Sequence, residues 1–320
     1  MGRNKTASQI MFADAKMFFT KEKYTNNITR RNFLTWYRKY INYCRQYHNC
    51  KTKDECGKHI QEYINHLEKH GYTASTIHSY LAPVTLYHGY SLKDFKKPVR
   101  YTSEYSKSRS FTDKIERSDE DLNNPPAKYI RSVEFAKRVG CRRNDLYHIC
   151  GGDLVKDEAG NYAIRLTHSK GGKYHEQRIL DEDYGFIKTY FDGVPEGQPI
   201  FKREEISPRL AYHYLRAQNA KRAYYKYLEM IKDPAGKAKL EKEIRARWNR
   251  LNISKKTGKP KPFPDRILEG DYVLRGKTRT FAIKNGLPVR YNRMAVIATS
   301  IFNLSHWRED VTICSYLLVI

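Results

Sequence analysis

The sequence predicts a mainly α-helical protein with a small β-hairpin or sheet, in which a helical domain is followed by an α+β domain. Three observations lead to this prediction. Apolar residues recur at three- and four-residue intervals from Ser8 to about Tyr90, and the chain then becomes polar and basic. Farther along, apolar and polar residues alternate on either side of a Gly-Gly pair. At roughly 100–200 residues per domain, a chain of 320 residues is long enough for two domains.

The first domain, residues 1–95, is predicted to be entirely α-helical. Its helical spacing is clear in Ile60, Tyr63 and Leu67, which would lie on one face of a helix. Gly71 predicts the end of that helix, and the Thr and Ser residues that follow are typical N-caps of the next one. Four short helices fit this domain.

Residues 96–126 are predicted to be an interdomain linker, because they are rich in basic residues, small residues and proline. The second domain, residues 127–320, is predicted to open with a helix that ends at Gly140. Two strands follow, 161–166 and 176–180, joined by a turn. The sequence therefore predicts a β-hairpin with lysine at its tip.

Residues from about 203 to 262 are predicted to form a basic helical insertion, broken by the Asp-Pro-Ala-Gly run at 233–236. A helix this basic is usually a solvated surface, and a DNA-contacting surface is the alternative. Both interpretations stay open. After the insertion, helices from Arg275 to Trp307 are predicted to lead to Tyr316.

The composition indicates a polyanionic partner. Lys and Arg number 60 against 35 Asp and Glu, a formal net charge of +25 with no poly-lysine tail to account for it. Such a protein gains affinity for DNA by releasing condensed counterions. No stretch is apolar over the roughly 18 residues that span a bilayer, and the N-terminus lacks the apolar segment of a secretory signal. We therefore expect a cytoplasmic protein that acts on DNA and not on a membrane.

The cysteines do not have the spacing of a metal site. No Cys-x-x-Cys occurs, and no pair of histidines lies at zinc-finger distance. We therefore expect free thiols and no bound metal. The six cysteines are Cys44, Cys50, Cys56, Cys141, Cys150 and Cys314.

A candidate nucleophile lies near the end of the chain. Tyr316 follows His306 by ten residues and lies downstream of an arginine-rich stretch. Because its pKa is about 10, a tyrosine hydroxyl is a weak nucleophile at pH 7. Its attack on a phosphodiester needs cations and hydrogen-bond donors that stabilise the developing charge. The sequence supplies many of these cations.

Several short motifs occur in an order that resembles the catalytic domain of the tyrosine recombinases, the phage-integrase family. They are Val139-Gly140-Cys141-Arg142, the lysine turn Thr167-His168-Ser169-Lys170-Gly171-Gly172-Lys173, Tyr272-Val273-Leu274-Arg275, Leu304-Ser305-His306, and Tyr316. The first hundred residues are similar to the helical, SAM-like core-binding domain of that family. The resemblance covers most of the chain, and several partial matches in the right order are more specific than any one of them.

The resemblance implies a role for each matched residue. Arg142 would be the first catalytic arginine and Asp145 its supporting acid. Lys170 would be the catalytic lysine, with Lys173 as the alternative.

The third family element is a His-x-x-Arg pair that opens a helix, and the resemblance places it at Arg275, with Tyr272 where the family has histidine. Arg279 and Arg293 are the alternatives for this second arginine. The family's later elements would be His306, supported by Trp307, and the nucleophile Tyr316.

The resemblance also implies a mechanism without metal or cofactor. Tyr316 would attack the scissile phosphate to form a 3′-phosphotyrosyl bond and a free 5′-hydroxyl, and that bond would then be attacked by another strand. The implied partners are double-stranded DNA at two paired sites, a homotetramer of this chain, and an accessory DNA-bending protein. DNA integration by a mobile genetic element would fit this mechanism.

Different functions could explain the same residues. A type IB topoisomerase would use the same tyrosine chemistry to relax supercoils, and a non-catalytic DNA-binding protein would keep the fold and charge alone. An RNA-binding protein would use the many tyrosines for stacking, although their spacing is helical. Taken singly, Arg142 is typical of a cation at a helix end, Lys170 of a soluble turn, and Tyr316 of a core aromatic.

Overall fold

The computed structural model describes residues 6–21, 27–100, 122–169, 173–254 and 256–318. It confirms a mainly helical protein with two small antiparallel sheets. The chain divides into two compact units, Met1–Arg100 and Tyr101–Ile320. This boundary falls within the segment predicted as a linker, most of which lies outside the described residues. None of the helices in the described ranges is both long and apolar enough to cross a membrane.

The first unit is all-helical in its described residues. Its helices are α1 Ala7–Lys21, α2 Asn27–His48, α3 Lys53–Gly57, α4 Ile60–Lys69 and α5 Ala74–His88. The sequence predicts four helices, and the structure has a fifth, the single turn α3. This turn forms because Thr52 and Glu55 build a capping box, in which each side chain accepts a hydrogen bond from the backbone of the other.

Aromatic rings fill the core of the first unit. Phe19, Tyr37 and Tyr87 pack against one another with ring centroids 4.9–6.3 Å apart. As predicted, the chain turns at Gly71, which has a left-handed φ of 72°. Thr73 then caps α5 by accepting a hydrogen bond from the Thr76 N–H.

The second unit combines helices with short strands. Its helices are α6 Ala127–Val139, α7 Arg143–Leu146, α8 Asp181–Lys188, α9 Tyr212–Met230, α10 Pro234–Leu251, α11 Gly276–Lys284, α12 Arg293–Ala298 and α13 Glu309–Thr312. Helices α12 and α13 continue into π-helical turns, Thr299–Asn303 and Ile313–Leu317. Such turns are rare and occur frequently at functional sites.

Within the described ranges, five strands form two antiparallel sheets. They are β1 Leu154–Lys156, β2 Tyr162–Ser169, β3 Lys173–Arg178, β4 Asp271–Val273 and β5 Arg290–Asn292. The first three pair in the order β1-β2-β3, and β4 pairs with β5. The predicted hairpin is confirmed as β2-β3, whose register shifts between Leu166 and Ser169, just before the turn.

The basic segment predicted from about 203 to 262 forms two helices, α9 and α10, and α9 packs into the core of the second unit and is not a wholly solvated surface. Helix α9 contributes Leu215, Ala220 and Ala223 to three different hydrophobic clusters. Helix α10 adds further buried apolar residues to one of these clusters. Basic side chains on the outer face of α9 pair with acids at the start of α8, such as Lys226 with Asp181 at 2.8 Å. The high charge of this segment therefore accompanies a core helix.

A buried ion network joins the β2-β3 hairpin to helix α10. Arg247 is fully buried and pairs with Glu158 at 2.5 Å and with Asp157 at 3.3 Å. Arg178 of β3 pairs with Asp157 at 2.5 Å and with Glu243 of α10 at 2.6 Å. Because isolated charges are costly to bury, these pairs hold the hairpin and α10 in one relative position.

Candidate active site

Arg142 lies in the loop between α6 and α7, held by two neighbouring polar groups. Its Nη1 donates to Ser169 Oγ at 2.9 Å, and its backbone N–H donates to Asp145 Oδ2 at 3.0 Å. Ser169 donates in turn to Asp145 Oδ1 at 3.1 Å. Asp145 and Ser169 are both buried. The acid expected to support Arg142 therefore contacts it, and the guanidinium is tied to the end of strand β2.

Arg216 of α9 lies in the same region, and it is 1% exposed. Its Nη1 donates to Gly140 O at 2.6 Å and to Gln177 Oε1 at 3.0 Å. Its Nε and Nη2 have no hydrogen-bond partner among the described residues. Two buried guanidinium donors are therefore left open, and such groups are costly unless a ligand satisfies them.

Gly140 lets α9 approach the end of α6 closely. Its φ is 69°, and a Cβ at this position would lie 2.8 Å from the side chain of Asn219. Asn219 donates to Arg138 O at 2.6 Å, one turn along α9 from Arg216. The left-handed turn required of this glycine therefore brings Arg142 and Arg216 to the same place.

His306 presents a hydrogen-bond donor to the site. The backbone N–H of Arg308 donates to its Nδ1 at 3.4 Å, which assigns the proton of the neutral ring to Nε2. Nε2 is buried and has no partner among the described residues. The preceding residue, Ser305, has a φ of 57°, in the left-handed region that favours glycine. This turn allows the His306 N–H to bond Ser300 O at 3.1 Å.

His175 is a further buried histidine at the site. It lies on β3 opposite Leu166, is 5% exposed, and its Nε2 has no partner within the described ranges. Burial, and after it the charges of Arg216, Arg247 and Arg142, hold its pKa well below the usual range. The ring is therefore neutral at physiological pH.

The same cations act on His306 and on Arg142. Burial first, and then Arg216 and Arg142, lower the pKa of His306 to about 3. Burial first, and then Arg216, lower the pKa of the Arg142 guanidinium as well. In the described part of the chain, no carboxylate lies within salt-bridge distance of Arg216. The candidate active site around Arg142 and Arg216 therefore carries an excess of positive charge.

Tyr316 lies beside these groups in the π-helical turn that follows α13. It is 7% exposed and packs on Ala217 and Ala220 of α9. The guanidinium carbon of Arg216 is 5.8 Å from the centroid of its ring.

Two histidine rings also pack near Tyr316. Its ring centroid lies 5.1 Å from that of His213, in an edge-to-face contact, and 6.2 Å from that of His306. The predicted nucleophile is therefore surrounded by His213, Arg216 and His306.

A cavity of about 540 Å³ opens in front of two histidines, the buried His175 and the half-buried His306. The last residues of α10 and the loop after α12 close its sides, and Trp307 packs edge-to-face on Trp248 at 4.8 Å. Its lining is mixed polar and apolar: Arg142, Ser169, Tyr174, His175, Leu251, Asn252, Ile301, Ser305, His306 and Trp307. The cavity is therefore lined by Arg142 and His306, whereas Arg216 and Tyr316 lie behind its lining.

The residues predicted as the second arginine lie elsewhere. Arg275 and Arg293 line a separate cavity of about 480 Å³, which they share with Asp271 and Asp310. Arg293 is neutralised by Glu309, with both carboxylate oxygens within 3.0 Å of Nη1. Strand β4 places Arg275 at this cavity because β4 pairs with β5, which leads directly into Arg293. The structure thus brings Arg216, and not Arg275, to Arg142.

Tyr272 and Arg279 do not reach the site either. Tyr272 lines the separate cavity, with the Arg293 guanidinium 5.5 Å from its ring centroid. Arg279 is exposed on helix α11.

The lysine turn is only partly described. Lys170 lies outside the described residues, and Lys173 is the first residue of β3. The end of β2 is described, and Ser169 there bonds Arg142. The residue preceding Lys170 therefore contacts the first arginine.

The sequence contains a direct signal for Arg216. His213-Tyr214-Leu215-Arg216 spells His-x-x-Arg without substitution and lies in the first turns of α9. The many basic residues around this motif favour the interpretation of the segment as a surface insertion. For this reason the motif is easily missed in the sequence. His175 has no comparable signal, since a lone histidine in a strand has many structural roles.

No protein-family model matches this sequence, and no curated protein matches it. Among solved structures, the chain is similar to the Tn1549 transposon integrase in complex with circular intermediate DNA. The two sequences are 11% identical, the match covers 70% of this chain and 88% of that chain, and the TM-score is 0.36. It is also similar to XerA recombinase, with 15% sequence identity and a TM-score of 0.23. That match covers 66% of this chain and 83% of the XerA chain. Both TM-scores lie below 0.5.

Proposed function

We propose that this protein is a site-specific DNA recombinase that cleaves and rejoins DNA through a covalent bond to Tyr316. One observation carries the proposal: Arg142, Arg216 and His306 converge beside Tyr316, and buried donors of Arg216 and His306 have no partner among the described residues. A phosphodiester of DNA would satisfy these donors and offset the excess positive charge. The net charge of +25 favours a polyanionic substrate of this kind.

In the proposed reaction, the Tyr316 oxygen forms a bond to phosphorus while the bond from phosphorus to the 5′ oxygen breaks. The phenolic proton leaves to solvent or to a neighbouring base, and the 5′ oxygen gains a proton. Rejoining is the reverse attack by a 5′-hydroxyl. Because the phosphodiester energy is kept in the phosphotyrosyl bond, the reaction needs no nucleoside triphosphate.

Arg142 and Arg216 bind the non-bridging oxygens of the phosphate in this mechanism. Their guanidinium groups offer paired donors to a phosphate, which a lysine cannot reproduce. The Nε2–H of His306 donates a third hydrogen bond. Because the pKa of His306 lies at about 3, the ring acts as a neutral donor and not as a cation.

The remaining site residues have supporting roles in the proposal. Lys170 protonates the leaving 5′ oxygen, with Lys173 as the alternative on the same turn. His213 packs on the ring of Tyr316 and positions it. His175 adds a neutral group that faces the same phosphate.

The wider biology follows from this chemistry. Strand exchange requires two cleaved DNA sites, and therefore an assembly with four Tyr316 residues, which a homotetramer would provide. The helical first unit would bind the DNA duplex as a core-binding domain. An accessory DNA-bending protein, a location on DNA in the cytoplasm and a mobile genetic element as the source are parts of the same proposal.

The first experiment tests for a covalent adduct. The full chain is incubated with pooled labelled DNA carrying nicked candidate sites, and adducts are resolved on a denaturing gel before and after protease treatment. We expect wild type to form a protease-sensitive adduct and Tyr316→Phe to form none while still binding DNA. Tyr225→Phe is the matched control, because Tyr225 lies on α9 and is 57% exposed.

The outcomes separate the candidate functions. An adduct with Tyr316→Phe would show that another residue is the nucleophile and would overturn the proposal. DNA binding by wild type without any adduct would favour a non-catalytic binding protein. Adduct formation with relaxation of supercoiled DNA, but without exchange between two sites, would favour a topoisomerase.

A further inference from the structure

Three cysteines of the first unit form a compact cluster. Cys44 and Cys56 are fully buried and Cys50 is 5% exposed. Their three sulfur atoms all lie within 4.8 Å of one another. The cluster lies in the helical first unit, so it is independent of the proposed recombinase chemistry.

Local backbone geometry brings these thiols together. Helix α2 ends in a reversal at Asn49, which has a left-handed φ of 52°. The reversal is closed by a hydrogen bond from Cys50 N–H to Cys44 O at 3.3 Å. It returns Cys50 to the side of the helix that carries Cys44.

The third thiol is placed by the next helix. Thr52 and Glu55 form the capping box that starts α3, and Cys56 follows in its first turn. The Tyr40 hydroxyl donates to Cys56 O and ties this turn to helix α2. Hydrogen-bonded backbone therefore positions the two cysteines that follow α2, and each sulfur is placed from there by a single side-chain torsion.

A fourth soft donor lies next to the cluster. The Met11 thioether of α1 is 3.8 Å from the Cys56 sulfur, and Met11 is 4% exposed. A metal with bonds of about 2.3 Å to sulfur in a tetrahedral site holds its sulfur ligands about 3.8 Å apart. The three thiols need to move by only about 1 Å to reach this geometry. Thiolate and thioether ligands select thiophilic ions.

We propose that Cys44, Cys50 and Cys56 bind a thiophilic metal ion, zinc(II) or copper(I), with Met11 as the nearest fourth ligand. Each cysteine that binds loses its proton to solvent, so one metal displaces up to three protons. The ion ties α1, the end of α2 and α3 to one point. It therefore stabilises the first unit.

A second group nearby is a weaker metal candidate. His48, His59 and Glu62 also offer ligand atoms within 4.8 Å of one another. The two imidazole rings, however, are stacked face to face with centroids 3.7 Å apart, and both lie within salt-bridge distance of the Glu62 carboxylate. Glu62 is also half exposed, with 54% of its side chain accessible. The group of His48, His59 and Glu62 therefore serves as the control for metal binding at the cysteines.

The test uses the full chain purified in reducing buffer without chelator. Metal content is measured by mass spectrometry, before and after dialysis against zinc(II), and copper(I) is tested separately. Cobalt(II) is added to the metal-free protein, because a cobalt–thiolate charge-transfer band reports sulfur ligands directly. Burial raises the pKa of Cys50 to about 11, so slow alkylation of the free thiols would not by itself indicate metal.

We expect one metal per chain and a cobalt–thiolate band in wild type. Cys50→Ser should weaken metal binding by about tenfold or more, whereas Glu62→Gln and Cys150→Ser should not. Cys150 is a half-buried cysteine of the second unit and is the matched control. Zinc retained without copper identifies zinc as the ion, and the reverse identifies copper.

Two results would overturn the proposal. One is wild-type protein that retains neither ion and gives no cobalt–thiolate band. The other is binding that is lost in Glu62→Gln but kept in Cys50→Ser, which would place the ion at the histidine group. The cobalt spectrum of wild type decides the question even if Cys50→Ser does not fold.

Discussion

Arg216 differs from the other candidate arginines in what surrounds its guanidinium. It is buried, it bonds only to carbonyl oxygens of Gly140 and Gln177, and two of its nitrogens are open among the described residues. Arg293, by contrast, is neutralised by Glu309. The open nitrogens of Arg216 are suited to a phosphate, whereas Arg293 Nη1 is already bound by both carboxylate oxygens of Glu309.

This difference predicts opposite effects for two matched substitutions. Arg216→Lys should lower the rate of adduct formation by about 10²–10³-fold, because one preorganised donor pair is lost. Arg275→Lys should leave the rate nearly unchanged, since Arg275 lies at the separate cavity. Single-turnover adduct formation measures both, with thermal unfolding to confirm that each variant is folded. A larger loss in Arg275→Lys would restore the assignment predicted from the sequence.

The buried histidines predict how stability depends on pH. The pKa of His306 is about 3 in the folded protein, against an ordinary value of 6.5 for a solvated histidine. Between these values the unfolded chain binds more protons, so the free energy of unfolding falls as the pH is lowered below about 6.5. One such histidine contributes up to about 1.4 kcal/mol per pH unit.

His306→Gln should make this dependence shallower between about pH 6.5 and pH 4. Urea unfolding of the full chain at several pH values measures it. His175 acts in the same direction, so some slope remains in the variant. Equal slopes in wild type and variant would show that His306 is not held neutral by its surroundings.

At the scale of elements, the hairpin and helix α10 are joined by charges that are out of reach of water. Arg247 has no exposed surface and bonds Glu158 and Asp157. On the same helix, Arg245 pairs with Glu241 and Asp265 but is 39% exposed. These two arginines allow a buried network to be compared with a surface network.

Arg247→Met should destabilise the protein by about 1–3 kcal/mol, because the buried Asp157 and Glu176 each lose one of their two arginine partners and keep only Arg178 or Arg250. Arg245→Met should cost less than about 1 kcal/mol, since exposed ion pairs contribute little. Chemical denaturation of the two variants measures the difference. Similar losses in both would show that the interior network is not the main link between the hairpin and α10.

At the scale of the whole molecule, the charge of +25 should make DNA binding strongly dependent on salt. A protein that neutralises about six or more phosphates loses roughly 10³-fold in affinity or more between about 50 and 200 mM salt. We expect this dependence for wild type and, with the same slope, for Tyr316→Phe. Fluorescence anisotropy with labelled duplex measures both. A shallow slope would show that the positive charge does not contact the DNA backbone.

The sequence predicted those features that depend on neighbouring residues. The left-handed turn at Gly140, the β2-β3 hairpin and the helical first unit each follow from local spacing and turn residues. The closeness of His306 to Tyr316 also follows from the sequence, because the two residues are only ten positions apart and the short helix α13 lies between them. In each of these cases, the residues that form the structure are the same neighbouring residues whose sequence pattern predicts it.

Other features depended on packing between distant parts of the chain. His213-x-x-Arg216 matches the His-x-x-Arg motif in full, and Tyr272-x-x-Arg275 matches it with tyrosine in place of histidine. Only the packing of α9 against Gly140 brings Arg216 to Arg142. Charge alone suggested that α9 lies at the surface, but its basic residues extend from a helix whose other faces are buried. The sequence by itself therefore determined the helical and hairpin segments. The tertiary structure decided which arginine faces Tyr316 and which cysteines meet, because side chains far apart in the chain become neighbours only when helices pack.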